Sequence, residues 1–196
     1  MLNLQFHLQG TAPLILHNIE AADPLNEWSK QLSKISSKKK KTEEDHAEME
    51  RIQWFSGLYT DPFIKGPVMP TKCLRKAFIV GGRARKLGRH IERGLKFHDM
   101  AVSIIHDGPN DFDELFKNNY YHSRESVKVN NSRIIRVRPK FPKWQIIADA
   151  SLDTDILDLD ELQSVIEYTG RIEGLADNRI NGFGRFEAKI NVLTTV

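Results

Sequence analysis

Read along its 196 residues, the chain predicts an α+β protein in which helices cover one face of an antiparallel sheet. Three observations predict it. The N-terminal run Leu2-Asn3-Leu4-Gln5-Phe6-His7-Leu8 alternates apolar and polar residues as a half-buried strand does. Leu159, Leu162, Ile166 and Ile172 make the apolar stripe of a helix that opens at Asp158, with Glu161 three residues on. Between that helix and a closing strand, Arg185 to Val192, lies a stretch with three glycines, Gly174, Gly182 and Gly184.

Length and composition fit one domain, 1–196, large enough to bury a full core. Mean hydropathy of −0.45 with 40% hydrophobic residues excludes a disordered chain. No apolar run reaches the roughly 18 residues of a membrane span, so a soluble, cytoplasmic protein with no membrane partner is expected. The first residues lack the basic start and apolar run of a secretion signal. A single cysteine, Cys73, rules out an internal disulfide and any multi-cysteine metal site. The seven histidines show no ligand spacing and the acids at 153–161 no calcium-loop pattern, so neither a metal nor a cofactor is expected.

The intervening elements follow from spacing. A second extended piece, Pro13 to His17, follows a turn at Gly10, and Asp23-Pro24 opens a helix with Leu25, Trp28, Leu32 and Ile35 inward. Ser36 to Lys41 is the tip of a helical hairpin. Thr42 with Asp45 forms a capping box for the returning helix, which puts Met49, Ile52, Phe55 and Leu58 inward. This hairpin, about 24–58, reads as an insertion. Gly66-Pro67-Val68-Met69-Pro70 turns the chain into a basic helix near Thr71, which Gly81-Gly82 interrupts before a second basic helix ending at Gly94. Extended chain from Leu95 to Ile105, a short helix near Phe112 to Lys117, and a projecting hairpin of about 124–143 around a turn at Asn130-Asn131 complete the order.

Net charge is only +3, but the charges are segregated. Residues 65–100 hold ten Lys or Arg against two acids, residues 124–143 seven against one, and residues 149–177 nine acids against Arg171. Two basic segments suit a polyanion such as nucleic acid, although basic and acidic faces can also attract each other within one fold. The candidate contacts are Lys72, Arg75, Arg83, Arg85, Lys86 and Arg89 on the basic helices, Arg136 and Arg138 on one face of the hairpin, and Arg179 and Arg185 in the glycine-rich stretch. Gly174, Gly182 and Gly184 suit either backbone contact with phosphate or a tight turn into the last strand. Tyr120, Tyr121, Phe141 and Trp144 suit either base stacking or the core, and Trp144 reads as core because Ile146 and Ala148 continue its face.

The run from the Leu159 helix through Gly174, Gly182-Phe183-Gly184 and Phe186 resembles the glycine-rich loop of the RAMP superfamily. The whole chain also resembles a group of small uncharacterised proteins of tailed bacteriophages. That second resemblance rests on Asp23-Pro24-Leu25-Asn26 with Trp28, Lys40-Lys41-Thr42 with Asp45-His46, Gly66-Pro67, Arg93-Gly94-Leu95, Ser126-Val127-Lys128-Val129 with Ser132-Arg133, and Gly182 to Glu187. The RAMP resemblance implies a ferredoxin-like, RRM-like core and RNA or single-stranded DNA bound along a repeated protein backbone. The 126–138 hairpin would then match the projecting hairpin of backbone subunits of CRISPR effector complexes.

Together these readings lead to the expectation of a phage-encoded, non-catalytic protein that coats single-stranded nucleic acid through its phosphates, as a homo-oligomer or filament. Two alternatives stay open. One is a protein-interaction module or inhibitor acting on a host defence complex, with acidic 149–177 as its surface. The other is a metal-independent ribonuclease using His90, His98 or His122.

Overall fold

A computed structural model describes residues 1–129 and 132–193; the turn expected at Asn130-Asn131 lies outside them. In chain order the elements are β1 (Leu2–Gly10), β2 (Leu14–Ile15), α1 (Glu27–Ser36), α2 (Glu43–Gly57), β3 (Val68–Pro70), α3 (Thr71–Arg83), α4 (Gly88–Gly94), β4 (Leu95–Phe97), β5 (Ala101–His106), α5 (Phe112–Lys117), β6 (His122–Val129), β7 (Ser132–Phe141), β8 (Trp144–Leu152), α6 (Leu159–Tyr168) and β9 (Phe186–Leu193). They form two compact units. Residues 1–14, 60–107 and 141–196 make the first, residues 15–59 and 108–140 the second.

The first unit is the expected α+β core. Its sheet runs β3-β5-β8-β1-β9, with β4 also paired to β8. Pairing of β1 with β8 and β9, and of β8 with β4 and β5, is antiparallel throughout. The path β1, α3, β5, β8, α6, β9 with spatial order β5-β8-β1-β9 is the split βαβ arrangement of a ferredoxin-like fold. Alternation sends Leu4, Phe6 and Leu8 of β1 to the same face as Ile146, Ala148, Ala150 and Leu152 of β8, and all seven are buried. Leu74, Ala77 and Phe78 of α3 are buried too, as are Leu162, Val165 and Ile166 of α6. Phe6 meets Phe78 at 5.8 Å between ring centroids. Trp144 is core as read from sequence, its Nε1–H donating to Ala12 O at 2.8 Å.

Gly81-Gly82 does not interrupt α3, which continues to Arg83. A Cβ at Gly81 would lie 2.0 Å from Thr169 Oγ1, so glycine here lets α3 approach the residue that follows α6. Ile172, expected on the buried stripe, is half exposed because the chain leaves the α-helix at Thr169 for a wider π-turn.

The second unit contains the inserted helical hairpin. The capping box is present: Thr42 Oγ1 accepts from Asp45 N–H at 3.2 Å and Asp45 Oδ2 accepts from Thr42 N–H at 3.1 Å. Lys38 pairs with Asp45 at 2.7 Å, which ties part of the lysine run to the returning helix. The first helix starts later than Asp23-Pro24, at Glu27, because the Asn26 side chain caps Trp28 N–H; Leu25 is thereby outside the helix and 76% exposed. The centre of the unit is Trp54, fully buried, donating from Nε1 to Tyr121 O at 2.9 Å. Its indole meets the rings of Phe55, Phe116 and His122. β7 pairs with β6 in antiparallel register, and β2 completes a three-stranded sheet.

Two outcomes follow for stability. Gly184 has φ of +69° and a Cβ there would lie 2.0 Å from Leu175 O, whereas at Gly182 it would meet only the Arg185 side chain, at 3.1 Å. Gly184→Ala should therefore destabilise by about 1–3 kcal/mol or more in denaturant titration, and by more than Gly182→Ala. His17, His106 and His122 all sit below the ordinary histidine value of 6.5, burial being the main cause in each. Groups whose folded-state value is lowered contribute stability that is whole above their unfolded value and is lost as pH falls through the folded one. The thermal midpoint should drop between about pH 7 and about pH 5. His122→Gln should reduce that drop.

Candidate nucleic-acid interface

Strand alternation puts Arg136 and Arg138 on one side of β7 while Val137 between them is buried; Ile135, expected to pack behind them, is half exposed. Both arginines border an open cleft of about 490 Å³, together with His17, Trp28, Leu32 and Gln53. Each neighbour is held by an identifiable bond. Leu16 N–H donates to Pro139 O at 3.0 Å and the Tyr59 hydroxyl to His17 O at 3.0 Å, which fixes His17 beside β7. Gln53 Oε1 accepts from Val137 N–H at 3.0 Å. Trp28 sits in the first turn of α1 and stacks on Phe55, with centroids 6.1 Å apart.

The cleft is electropositive. Burial first, then the charges of Arg138 and Arg136, hold His17 below its usual value, so it is neutral at pH 7. Arg138 is likewise lowered by burial and by Arg136 beside it, with Glu125 acting the other way. Two half-buried guanidinium groups repel each other, and an anion between them relieves that repulsion. Guanidinium groups are also suited to bidentate contact with phosphate oxygens. Elsewhere in this unit cations are already neutralised: Arg124 pairs with Glu50, and Arg51 lies 3.9 Å from Asp113 and 4.7 Å from the Phe55 ring centroid. The raw surplus of the 124–143 segment therefore overstates its reach.

In the first unit, the six helix cations separate. Arg75 donates to Glu92 O, linking α3 to α4, and Arg85 donates to Ser164 Oγ, linking the turn after α3 to α6. Lys72 is exposed on α3. Arg83, Lys86 and Arg89 are exposed and line one shallow depression with Glu92.

The glycine-rich stretch gives no free backbone cradle. Gly174 N–H donates to Thr169 O, Gly182 N–H to Arg179 O and Gly184 N–H to Pro13 O, each at 2.8 Å. These amides serve the turn into β9, which corrects the phosphate-cradle alternative for them. What the loop presents is Arg179 and Arg185, in a depression that also holds Glu173 and Asp177.

Other candidates are accounted for by packing. Tyr121 is buried, and His122 Nε2 lies 2.8 Å from Phe116 O within the Trp54 cluster. His98 Nε2 lies 2.8 Å from Ser151 Oγ, and His90 is exposed. The sheet face opposite the helices carries Asn3, Gln5 and His7 of β1 with Asp149 and Ser151 of β8, joined by Gln5–Asp149 and Ser151–Asn3 hydrogen bonds of 3.0 Å. Neither strand places an aromatic side chain on that face, so bases have no ring there to stack on. Among the described residues no group of three or more His, Cys, Asp or Glu could hold a metal ion, and no helix is long and apolar enough to cross a membrane.

His17, Trp28 and Gln53 were not candidates from sequence. They lie on three separate stretches of chain, and only the tertiary fold brings them to Arg136 and Arg138.

No family model and no curated protein matches this chain. Among solved structures it is similar to a chain in the cryo-EM structure of the Type III-B Cmr-beta bound to cognate target RNA, with a TM-score of 0.47 and 12% identity. The match covers 98% of this chain and 61% of that one, and a likeness of that size assigns neither activity nor partner.

Proposed function

We propose that this protein binds single-stranded nucleic acid through backbone phosphates and performs no chemistry on it. The observation that carries this reading is the pairing of Arg136 and Arg138 on one side of β7, half-buried in a cleft that also presents an aromatic ring. Cations next to aromatic surface suit a polymer that offers phosphate and unstacked bases together. The exposed cluster of Arg83, Lys86 and Arg89, with Lys72 and the loop residues Arg179 and Arg185, would add contacts that carry charge but no sequence information. The reading retains the phage origin and the coating mode that the sequence resemblances imply, with several copies along one strand.

The test is binding of the purified protein to labelled single-stranded RNA, single-stranded DNA and duplex DNA of about 30 nucleotides, long enough for more than one site of roughly 4–16 nucleotides. A salt series and the mass of the complexes complete it. Tight, salt-sensitive binding of several copies to one single strand is expected. Arg136→Ala with Arg138→Ala should weaken it at least tenfold and lower the slope of log affinity against log salt by about 2, one for each lost phosphate contact. Unchanged binding in that double variant would remove the cleft, and no binding at low salt would remove the function. Because bound phosphate favours protonated His17, affinity should also rise as pH falls below 7, and less so in His17→Gln.

A further inference from the structure

The cleft of the second unit has more than charge. Its cations lie at one border, on β7, and its other border is made by α1 and α2, which contribute Trp28, Leu32 and Gln53. A site for inorganic phosphate alone would gain nothing from an indole and a leucine. The volume of about 490 Å³ falls within the range of roughly 300–1,000 Å³ typical of small-molecule sites. Trp28 is partly accessible, and it is held by Asn26 at its backbone and by Phe55 against its ring, so little ordering remains to be done when a second ring stacks on it. Gln53 adds direction. Its carbonyl oxygen is spent on Val137 N–H, which fixes the amide orientation and leaves the Nε2 end as what the side chain offers a ligand. Base edges rich in carbonyl and ring-nitrogen acceptors fit such a donor.

We propose that the cleft bordered by His17, Trp28, Gln53, Arg136 and Arg138 is a mononucleotide site, which takes one base against Trp28 and its phosphate between the two arginines. This rests on the nucleic-acid reading of the same arginines and narrows it: the polymer is gripped at the cleft by one nucleotide, base included, and not by its phosphates alone. A free nucleoside monophosphate is then a ligand in its own right.

The protein supplies its own reporter. Of its three tryptophans, Trp54 and Trp144 are buried at 0% and 1% exposure, so quenching by a bound base reports on Trp28. The whole protein is titrated with 5′-AMP and 5′-UMP, and with adenosine and inorganic phosphate as partial ligands, while tryptophan emission is followed. Displacement of a labelled single strand is measured in parallel. Both monophosphates should quench saturably and displace the strand, and adenosine and phosphate should each bind at least tenfold more weakly. Trp28→Leu should lower affinity for 5′-AMP about tenfold or more by calorimetry, whereas Trp28→Phe, which keeps a ring, should retain most of it. Arg136→Ala with Arg138→Ala should reduce 5′-AMP to the affinity of adenosine. Circular dichroism checks that each variant is folded.

The two readings fail differently. If the single strand binds and needs Arg136 and Arg138, but 5′-AMP binds no better than inorganic phosphate or Trp28→Leu changes nothing, the mononucleotide site is wrong and phosphate binding stands. If no single strand binds at all while 5′-AMP still quenches through the same residues, the site is upheld as one for free nucleotide and the polymer reading falls.

Discussion

The structure depends on the position of β1. A strand formed by residues 2–10 lies between β8 and β9, pairing Leu4 with Ala150 and Val192, and Phe6 with Ala148 and Ile190. The first element of the chain is thus held by the last two strands, and the core cannot close until the chain has returned from everything in between. Leu4, Phe6 and Leu8 supply the inner row against which both helices pack, so the sheet order, the placement of α3 and α6 and the tight turn into β9 are consequences of that strand's period. Such pairing is long-range, and it places this fold among those that close slowly.

How far the sequence could be read follows from where the determining interactions lie. Elements governed by near neighbours were legible: the alternation of β1, the Thr42–Asp45 capping box, and the buried positions Leu162 and Ile166 of α6. Features governed by distant contacts were not. Gly81 looks like a helix breaker until Thr169 is found against it, and Leu25 looks inward until Asn26 is seen to start the helix one turn late. The same holds for the site. Arg136 and Arg138 share a face by simple alternation, which any strand reading gives. Their company of His17, Trp28 and Gln53 comes from three stretches of chain, and no spacing rule connects them.

Charge counts were informative about class and weak about place. A segment with seven cations and one acid looks like a uniform surface, yet Arg124 is answered by Glu50 and Lys143 lies 3.9 Å from Asp107. On the helices, Arg75 and Arg85 are committed to a carbonyl and a hydroxyl within the fold. Exposed ion pairs of this kind contribute little to stability, but they remove cations from the inventory available to a ligand. What distinguishes Arg136 and Arg138 is their half-buried setting next to each other, where repulsion between like charges is less screened than at the open surface.

The Trp54 cluster has a bearing on how this architecture could have arisen. Trp54 comes from the excursion 15–59, whereas Tyr121, Phe116 and His122 around it come from the excursion 108–140. Removing either segment would leave the other with an uncovered aromatic surface and an indole N–H without its acceptor. The two excursions are therefore mutually dependent, and a lineage that acquired one in its present form would have been under immediate pressure to keep or elaborate the other. A shortened relative of this protein should lack both or retain both.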